Sequence, residues 1–318
     1  MSINLDKPHL WKADIAASVD LFNSWFLKFA PKAYRDTRVK TTHAVESTLK
    51  LTDDLRNIDP TVLKTNPGIL STLRMSTCPP IARDRLIGLS YASKNLVLKM
   101  EEEKRTPVRM TSTDLDENLG RIVATITKLL DRDIFPWLSG ASRPGKEERY
   151  RASTIVADRL CGAVSDPIIR NAQEQRQLSL IEGFLKERGY RKSGPPPGKT
   201  IREMAPGTFA FRTNAVVGDK SHSINIPIDV VVQPKHPSKD RVPILIEAKS
   251  AGDFTNVNKR RKEEATKMRQ LKTSYGARTR FVLFLCGYFD SGYLGYEAAE
   301  GIDWIWEHRI EDLDKLGL

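Results

Sequence analysis

ILIEAKS, residues 244–250, is an apolar run that carries two charged side chains, Glu247 and Lys249. Its length and apolar character are typical of a buried β-strand. Because side chains alternate between the two faces of a strand, Glu247 and Lys249 are expected side by side on one face, opposite Ile246 and Ala248. Burial of a carboxylate or an ammonium costs several kcal/mol unless it finds a partner. The strand therefore needs partners for both charges.

One acid, Asp229, lies in the preceding strand-like run, SINIPIDVVVQP at 223–234. If the two strands pair through the segment 235–240, Asp229 and Glu247 converge, with Lys249 beside them. Two converging carboxylates repel each other unless a cation joins them, and Mg²⁺ prefers such oxygen ligands. A metal held in this way acidifies a bound water, which Lys249 could orient or deprotonate. These residue types fit metal-assisted hydrolysis of a phosphodiester.

A buried ion pair that only ties the strands together is the alternative explanation for these three residues. Glu-x-Lys at the end of a strand is by itself weak evidence for a site, because exposed pairs of this kind are common and carry little energy. The upstream Asp229, the order of the predicted elements and the basic composition favour the catalytic interpretation.

Charge and composition limit the class of protein. Lysine and arginine exceed aspartate and glutamate by 51 to 40 in 318 residues, a net charge of +11. This excess favours a polyanionic partner, although a merely cationic surface is the alternative. No apolar stretch is long enough for a membrane helix, and the N-terminus lacks the pattern of a secretion signal. The three cysteines are far apart, which argues against disulfides or structural zinc and indicates a reducing, cytoplasmic location.

The first part of the chain is predicted to be helical, because its apolar residues recur at helical spacing. The helices are expected at 14–30, 40–58, 81–100 and 111–135. We expect the first helix to end before Pro31, and Pro80 to supply the first turn of the third. Thr113 and Asp116 have the spacing of a capping box for the fourth. The segment 139–149 is the best linker candidate, and could equally be a surface loop.

The pattern changes near residue 170. A helix at 170–190 is followed by strands at 207–217, 223–234 and 242–250, a basic helix at 256–276, a buried strand at 280–289, a helix at 293–300 and a short strand at 302–306. The predicted order is α-β-β-β-α-β-α-β. It indicates a mixed β-sheet with helices on its faces, and an α+β fold class for the whole chain.

PID at 227–229, followed by EAK at 247–249, resembles the signature of the PD-(D/E)XK nuclease superfamily. The order of elements over roughly 170–310 matches the core of that superfamily, although Pro227 stands two residues before the aspartate rather than next to it. Further stretches resemble type II restriction endonucleases of the XamI kind; they lie at 74–97, 170–177 and 254–267.

The resemblance implies a homodimeric, Mg²⁺-dependent endonuclease that cuts both strands of double-stranded DNA at a short palindromic site and leaves 5′-phosphates. Asp229 and Glu247 would hold the metal, and Lys249 would act on the water. A further acid often comes from the first core helix of this superfamily, for which Glu174 and Glu182 are both candidates. A bacterial host with a companion DNA methyltransferase is also implied. Residues 1–150 would form a helical region that supports DNA binding, and residues 151–318 the catalytic domain.

Candidate DNA contacts lie in two basic stretches, where Asn, Lys and Arg are the residue types that bond base edges and phosphates. The first stretch follows the catalytic strand, and its candidates are Asn256, Asn258, Lys259, Arg260 and Arg261. The second lies in the helical part, and its candidates are Arg74, Arg83, Arg85 and Lys94. A solvated basic helix face is the alternative for the first stretch, and an ordinary amphipathic helix for the second.

Two other functions remain open on the same residues. A DNA repair or junction nuclease would share the core and differ in its substrate. A DNA-binding protein without catalysis is the other alternative, although binding alone does not require the set of Asp229, Glu247 and Lys249.

Overall fold

The computed structural model describes residues 2–218, 223–237, 242–254 and 257–318, with the side chains of the last range described from residue 262. By its internal contacts the chain divides into two units: Met1–Phe29 together with Arg170–Leu318, and Ala30–Ile169. The predicted division into a DNA-binding region, residues 1–150, and a catalytic domain, residues 151–318, stays a prediction. No helix in the described part is long and apolar enough to cross a membrane.

The unit Ala30–Ile169 is built from helices. They are α1 (Pro8–Leu51, of which the later part belongs here), α2 (Pro60–Thr65), α3 (Leu70–Met75), α4 (Arg83–Ser90), α5 (Lys94–Glu102), α6 (Ser112–Leu129) and the first part of α7 (Lys146–Glu187). Their apolar stripes meet in one core, in which Leu70, Leu96 and Ile122 are fully buried. The predicted helical character of this region is confirmed.

Several predicted helix boundaries in this region are wrong. Helix α1 continues through Pro31 instead of ending before it. Proline inside a helix costs about 3 kcal/mol through a lost hydrogen bond and a clash with the preceding turn. Apolar residues before and after it, such as Phe22 and Val45, are buried, and the free energy of their burial outweighs that cost. The two helices predicted at 14–30 and 40–58 are therefore one.

The helix predicted at 81–100 is two helices. Tyr91 adopts a left-handed conformation, with φ of +52°, and ends α4 there. Pro80 lies outside the helix, because α4 begins at Arg83. The cap of α6 is Thr111, whose Oγ1 accepts a hydrogen bond from the backbone N of Asp114 at 3.1 Å, so the predicted cap was two residues too late. The linker candidate 139–149 ends inside α7.

The second unit is organised around one sheet. In the described residues its strands are β1 (Arg191–Lys192), β2 (Thr208–Gly218), β3 (Ser223–Gln233), β4 (Ile244–Ala251), β5 (Arg280–Gly287) and β6 (Asp303–Trp306), in that spatial order. Strand β3 is antiparallel to β2 and β4, while β4, β5 and β6 are parallel. Helix α8 (Val257–Tyr275) connects β4 to β5, and α9 (Ser291–Ala299) connects β5 to β6. The predicted mixed sheet is confirmed, and so is the predicted order of elements except for the two-residue strand β1, which was not predicted.

Each face of the sheet packs on a different helix. Ile244 and Ile246 of β4 lie with Leu178 and Ile181 of α7 in one apolar cluster. Leu245 belongs to the cluster on the opposite face, which contains residues of α8 and α9. The predicted alternation along β4 is confirmed, and it turns the side of β4 that bears Glu247 toward α8.

The N-terminal segment closes one edge of this unit. One carboxylate, that of Asp303 at the start of β6, accepts hydrogen bonds from the backbone N atoms of Ile3, Asn4 and Leu5 at 2.5, 2.9 and 3.1 Å. The side chain of Asn4 also donates to the carbonyl of Trp304 at 2.8 Å. Residues 3–5 are therefore tied to β6, the edge strand of the sheet, by side-chain hydrogen bonds.

Candidate active site

Strand pairing brings Asp229 and Glu247 together. The register of β3 and β4 pairs Val230 with Ile246, so one further step places Asp229 opposite Glu247. The ladder stops there, because the Oδ2 atom of Asp229 accepts the backbone N–H of Ala248 at 2.9 Å. A side chain thus takes the place of the next strand-to-strand bond, and this fixes the carboxylate of Asp229 at the end of the pairing.

Glu247 is buried between two lysines. Only 6% of the residue is exposed, and its Oε1 atom lies 3.1 Å from Nζ of Lys249 and 2.8 Å from Nζ of Lys267. Its other oxygen, Oε2, is also buried and has no hydrogen-bond partner among the described residues. An unpartnered buried carboxylate oxygen is costly, and a cation or a donor from a ligand would relieve that cost.

Two residues of α8 complete the cluster. The carboxylate of Glu264, which is 1% exposed, lies 3.0 Å from Nζ of Lys249. Lys267, one turn further along the helix, also donates to the carbonyl of Pro227 at 3.1 Å. The cluster thus holds three acids and two lysines, a charge of −1 when all five are ionised. We refer to Asp229, Glu247, Lys249, Glu264 and Lys267 as the acidic cluster.

Burial changes the acidity of these groups. Desolvation, reinforced by the charge of Glu247, raises the pKa of Asp229 from 3.8 to about 6. Desolvation also raises the pKa of Glu264, against the opposing effect of Lys249. For Lys249 desolvation acts to lower the pKa, but Glu247 and Glu264 outweigh it and the net pKa is raised. Lys249 is therefore a stable cation at neutral pH.

The two candidates for a further acid lie in different surroundings. Glu174 pairs with Arg212, with 2.9 Å between Oε1 and Nη2, and its charge contributes to the raised pKa of Asp229. Glu182 pairs instead with Lys186 and Lys192. Electrostatic influence on Asp229 favours Glu174 as the additional acid, which stays a prediction.

Gln177 of α7 binds strands β4 and β5. It is 1% exposed, and its Nε2 atom donates to the carbonyls of Phe284 and Lys249 at 3.3 and 3.4 Å. Its Oε1 atom accepts the hydroxyl of Ser250 at 3.4 Å. Sequence reasoning missed this residue, because a glutamine in a helix gives no signal of which strands it reaches.

Glu264 and Lys267 were also missed in the sequence, although the position of Glu264 in the sequence pattern indicates that it is buried. It falls at helical spacing with Met268 and Leu271, the buried residues of α8. An acid on the apolar face of a basic helix needs a buried cation, and Lys249 is that cation.

The predicted DNA-contacting residues are placed as follows. Asn256 lies outside the described residues, and so do the side chains of Asn258, Lys259, Arg260 and Arg261, whose backbone is the start of α8. In the helical unit, Arg85 and Lys94 are exposed. Arg83 is paired with Glu102. Arg74 is 7% exposed and bonds Glu101 through Nε and Nη2 at 2.5 and 2.8 Å, so its donors serve the interior of that unit.

Comparison with known proteins identifies the family. Residues 53–306 match the model of the XamI restriction endonuclease family. The chain belongs to the XamI restriction endonuclease family. This XamI-family chain is also 56% identical, over 315 residues, to the type II restriction enzyme SalI of Streptomyces albus G, a match that covers 99% of each chain. The predicted resemblance to XamI enzymes is confirmed, and so is the prediction of a restriction-type DNA endonuclease.

A solved structure, that of protein VC1899 from Vibrio cholerae, aligns with this XamI-family chain at a TM-score of 0.30 and 12% identity, covering 80% of this chain and 55% of that one. So low a score supports no argument about the fold.

Type II restriction endonucleases generally need a divalent metal ion. In the described part of this chain no group of three or more His, Cys, Asp or Glu is arranged to hold a metal ion. The role of Asp229 and Glu247 as metal ligands stays a prediction.

Proposed function

We propose that this chain is a type II site-specific deoxyribonuclease that hydrolyses both strands of double-stranded DNA at a short sequence and leaves 5′-phosphates. The proposed site lies in a PD-(D/E)XK core, with Asp229, Glu247 and Lys249 as its catalytic residues. The observation that carries the proposal is the pairing of β3 with β4. It brings the half-buried carboxylate of Asp229 and the buried carboxylate of Glu247 together at a strand end, next to an ammonium that is held between acids.

The residues present fit Mg²⁺ as the cofactor. Oε2 of Glu247 is buried without a hydrogen-bond partner among the described residues, and Asp229 is held in a site that disfavours its charge. Both are carboxylate oxygens, the ligands that Mg²⁺ prefers, and two such ligands leave room for its waters and a phosphate. Bound there, Mg²⁺ would acidify a water and offset charge on the phosphate.

Each residue of the chain has a distinct proposed role. Asp229 and Glu247 would hold the metal ion through their carboxylate oxygens. Lys249 would orient the attacking water and stabilise negative charge on the phosphate, because its raised pKa keeps it protonated. Glu264 holds that ammonium from α8. Glu174 is the proposed additional acid, near Asp229.

The proposed assembly and partners follow from the need to cut both strands of the DNA. Cutting both strands of a palindromic site suits a homodimer, because two identical active sites then face the two strands. The helical region within residues 1–150 would support DNA binding, with exposed Arg85 and Lys94 as its candidates. A companion DNA methyltransferase in the host would protect its own sites.

Digestion of DNA tests the proposal. Purified protein is incubated with plasmid and phage DNA in Mg²⁺, and in EDTA as the control. Discrete, reproducible fragments in Mg²⁺ and none in EDTA are expected. Sequencing of the fragment ends would give the site and show whether the ends are 5′-phosphates. A gel shift without cleavage in Mg²⁺ or Mn²⁺ would refute the proposed activity, and a smear would refute its specificity.

Variants of two residues test the site. Glu247→Gln and Lys249→Ala are each expected to abolish cleavage while leaving DNA binding measurable in a gel shift. Glu187→Gln, at an exposed position of α7 in the same unit, is the matched control and should cleave like the wild type. Near-normal cleavage by either site variant would show that the assignment is wrong.

A further inference from the structure

One residue of β2 has a backbone conformation that a strand does not favour. Arg212 has a φ of +48°, in the left-handed region, where a side chain with a Cβ atom is strained. The other non-glycine residues with positive φ in the described part of the chain lie in turns or at helix ends. Strain of this kind persists when the surrounding structure enforces it, and it is often found at functional sites.

Arg212 stands opposite Asp229 in the sheet. The register of β2 and β3 pairs Phe211 with Val230 and Thr213 with Ile228, and the step between these pairs is Arg212 and Asp229. Side-chain alternation reverses on both strands at this step. Val230 packs in the cluster on the α7 face, whereas Ile228, two residues away, packs in the cluster on the α8 face. The reversal of side-chain alternation therefore occurs at Asp229, the proposed metal ligand.

The reversal delivers the guanidinium of Arg212 to the α7 side of Asp229. There its Nε and Nη2 atoms donate to a single oxygen of Glu174, at 3.2 and 2.9 Å. The side chain is 62% exposed, and Nη1 has no hydrogen-bond partner in the described part of the chain. One edge of the guanidinium is thus fixed by Glu174, while other N–H donors remain available to an anion.

We propose that Arg212 binds a phosphate of the DNA strand next to the cleavage site, and that its strained backbone is what places the guanidinium there. The proposal rests on the proposed function, since the anion it names is the substrate of that site. The chemistry fits, because a planar guanidinium forms strong charge-assisted bonds with phosphate oxygens. The acidic cluster carries a charge of −1 when ionised, so a polyanion needs cations beside it.

Three variants test the proposal in DNA binding and stability. Arg212→Gly removes the guanidinium and relieves the left-handed strain, and Arg212→Lys keeps the charge. Lys199→Ala is the control, because Lys199 is an exposed cation in the loop between β1 and β2 of the same unit, where it pairs with Glu203. Binding to a labelled random-sequence duplex is measured in Ca²⁺ over a range of salt, and thermal unfolding is followed in parallel.

We expect Arg212→Gly to weaken DNA binding by about tenfold and to lower the salt slope of log K by about 0.9, the value for one lost phosphate contact. Arg212→Lys should keep that slope, and Lys199→Ala should match the wild type. Arg212→Gly should also unfold at a temperature no lower than the wild type, since its strain is gone. A drop in stability with unchanged binding and slope would overturn the proposal and assign Arg212 a structural role.

The proposed function and this inference fail in different ways. If the wild type binds the duplex but does not cut DNA in Mg²⁺, the proposed function fails, and the salt slopes still decide the role of Arg212. If the wild type cuts DNA and Arg212→Gly binds with the wild-type slope, only the inference fails. If the wild type binds no DNA, both are overturned.

Discussion

At the scale of single residues, Asp229 carries a charge that its surroundings disfavour. Its pKa is raised from 3.8 to about 6, because the half-buried carboxyl group is largely desolvated and is repelled by the charge of Glu247. The folded protein therefore binds this proton more tightly than the unfolded chain does. Stability from this group is complete below pH 3.8 and is lost as pH rises through 6. At neutral pH without metal, the ionised Asp229 costs up to about 3 kcal/mol.

Asp229→Asn removes that cost and keeps an oxygen that can accept the N–H of Ala248. In EDTA at pH 8 we expect the variant to be more stable than the wild type by up to about 3 kcal/mol, and the gain to shrink as pH approaches 4. Urea unfolding at both pH values measures it. An equal gain at both would contradict the raised pKa. The same variant should lose cleavage, so that one substitution is expected to raise stability and abolish activity.

The cysteines give a second residue-scale prediction. Cys286 is fully buried, and burial raises the pKa of its thiol to about 12; Cys161 is also buried, and Cys78 is exposed. A thiol-alkylating reagent at pH 8 should therefore label Cys78 in the native protein and all three cysteines in concentrated urea. Peptide mass spectrometry identifies the labelled residues. Rapid native labelling of Cys286 would show that β5 opens readily in solution.

At the scale of elements, α8 supports the chemistry of β4. Glu264 and Lys267 lie one turn apart on the helix and bind Lys249 and Glu247 respectively. Strand and helix thus share one charge network, and displacement of α8 would leave Glu247 and Lys249, the proposed catalytic side chains, without the partners that α8 supplies.

Glu264→Gln tests that support. The substitution keeps the shape of the side chain and removes the charge that helps raise the pKa of Lys249, so that pKa should fall. We expect cleavage to slow by about 10–100-fold, as for other residues that orient catalytic groups, with DNA affinity unchanged. In the alkaline range, cleavage by the variant should decline at a lower pH than cleavage by the wild type. Glu263→Gln, at the adjacent exposed position, is the control. A lower DNA affinity with an unshifted profile would contradict the role in orienting Lys249.

The elements also show what the sequence could predict. The strands and their order were predictable, because each is a short apolar run bounded by turn residues, and Asp229 and Glu247 stood out as acids inside such runs. Helix ends were less predictable. Local rules place a break at Pro31 and none at Tyr91, whereas packing carries α1 through the proline and a left-handed residue ends α4. Glu264 was hidden because its partner lies on another element.

At the scale of the whole molecule, metal binding should couple to folding. The carboxylates of Asp229 and Glu247 are brought together only in the folded sheet, so an ion that binds between them stabilises the native state. We expect Mg²⁺ or Ca²⁺ to raise the unfolding temperature of the wild type in a concentration-dependent way. Glu247→Gln should remove the shift, whereas Glu187→Gln should keep it. Differential scanning fluorimetry measures it, and an equal shift in Glu247→Gln would show that the ion binds elsewhere.

The contact between the first residues and β6 has a consequence for synthesis of the protein. Asp303 holds Ile3, Asn4 and Leu5 across about 300 residues of sequence. On the ribosome, helices of Ala30–Ile169 can pack as soon as they emerge, whereas the sheet must wait for its last strand and keep the opening residues unpaired until then. The sheet that holds the acidic cluster is therefore completed last. A chain that ends before β6 is therefore expected to lack a complete sheet around the proposed DNA-cleavage site.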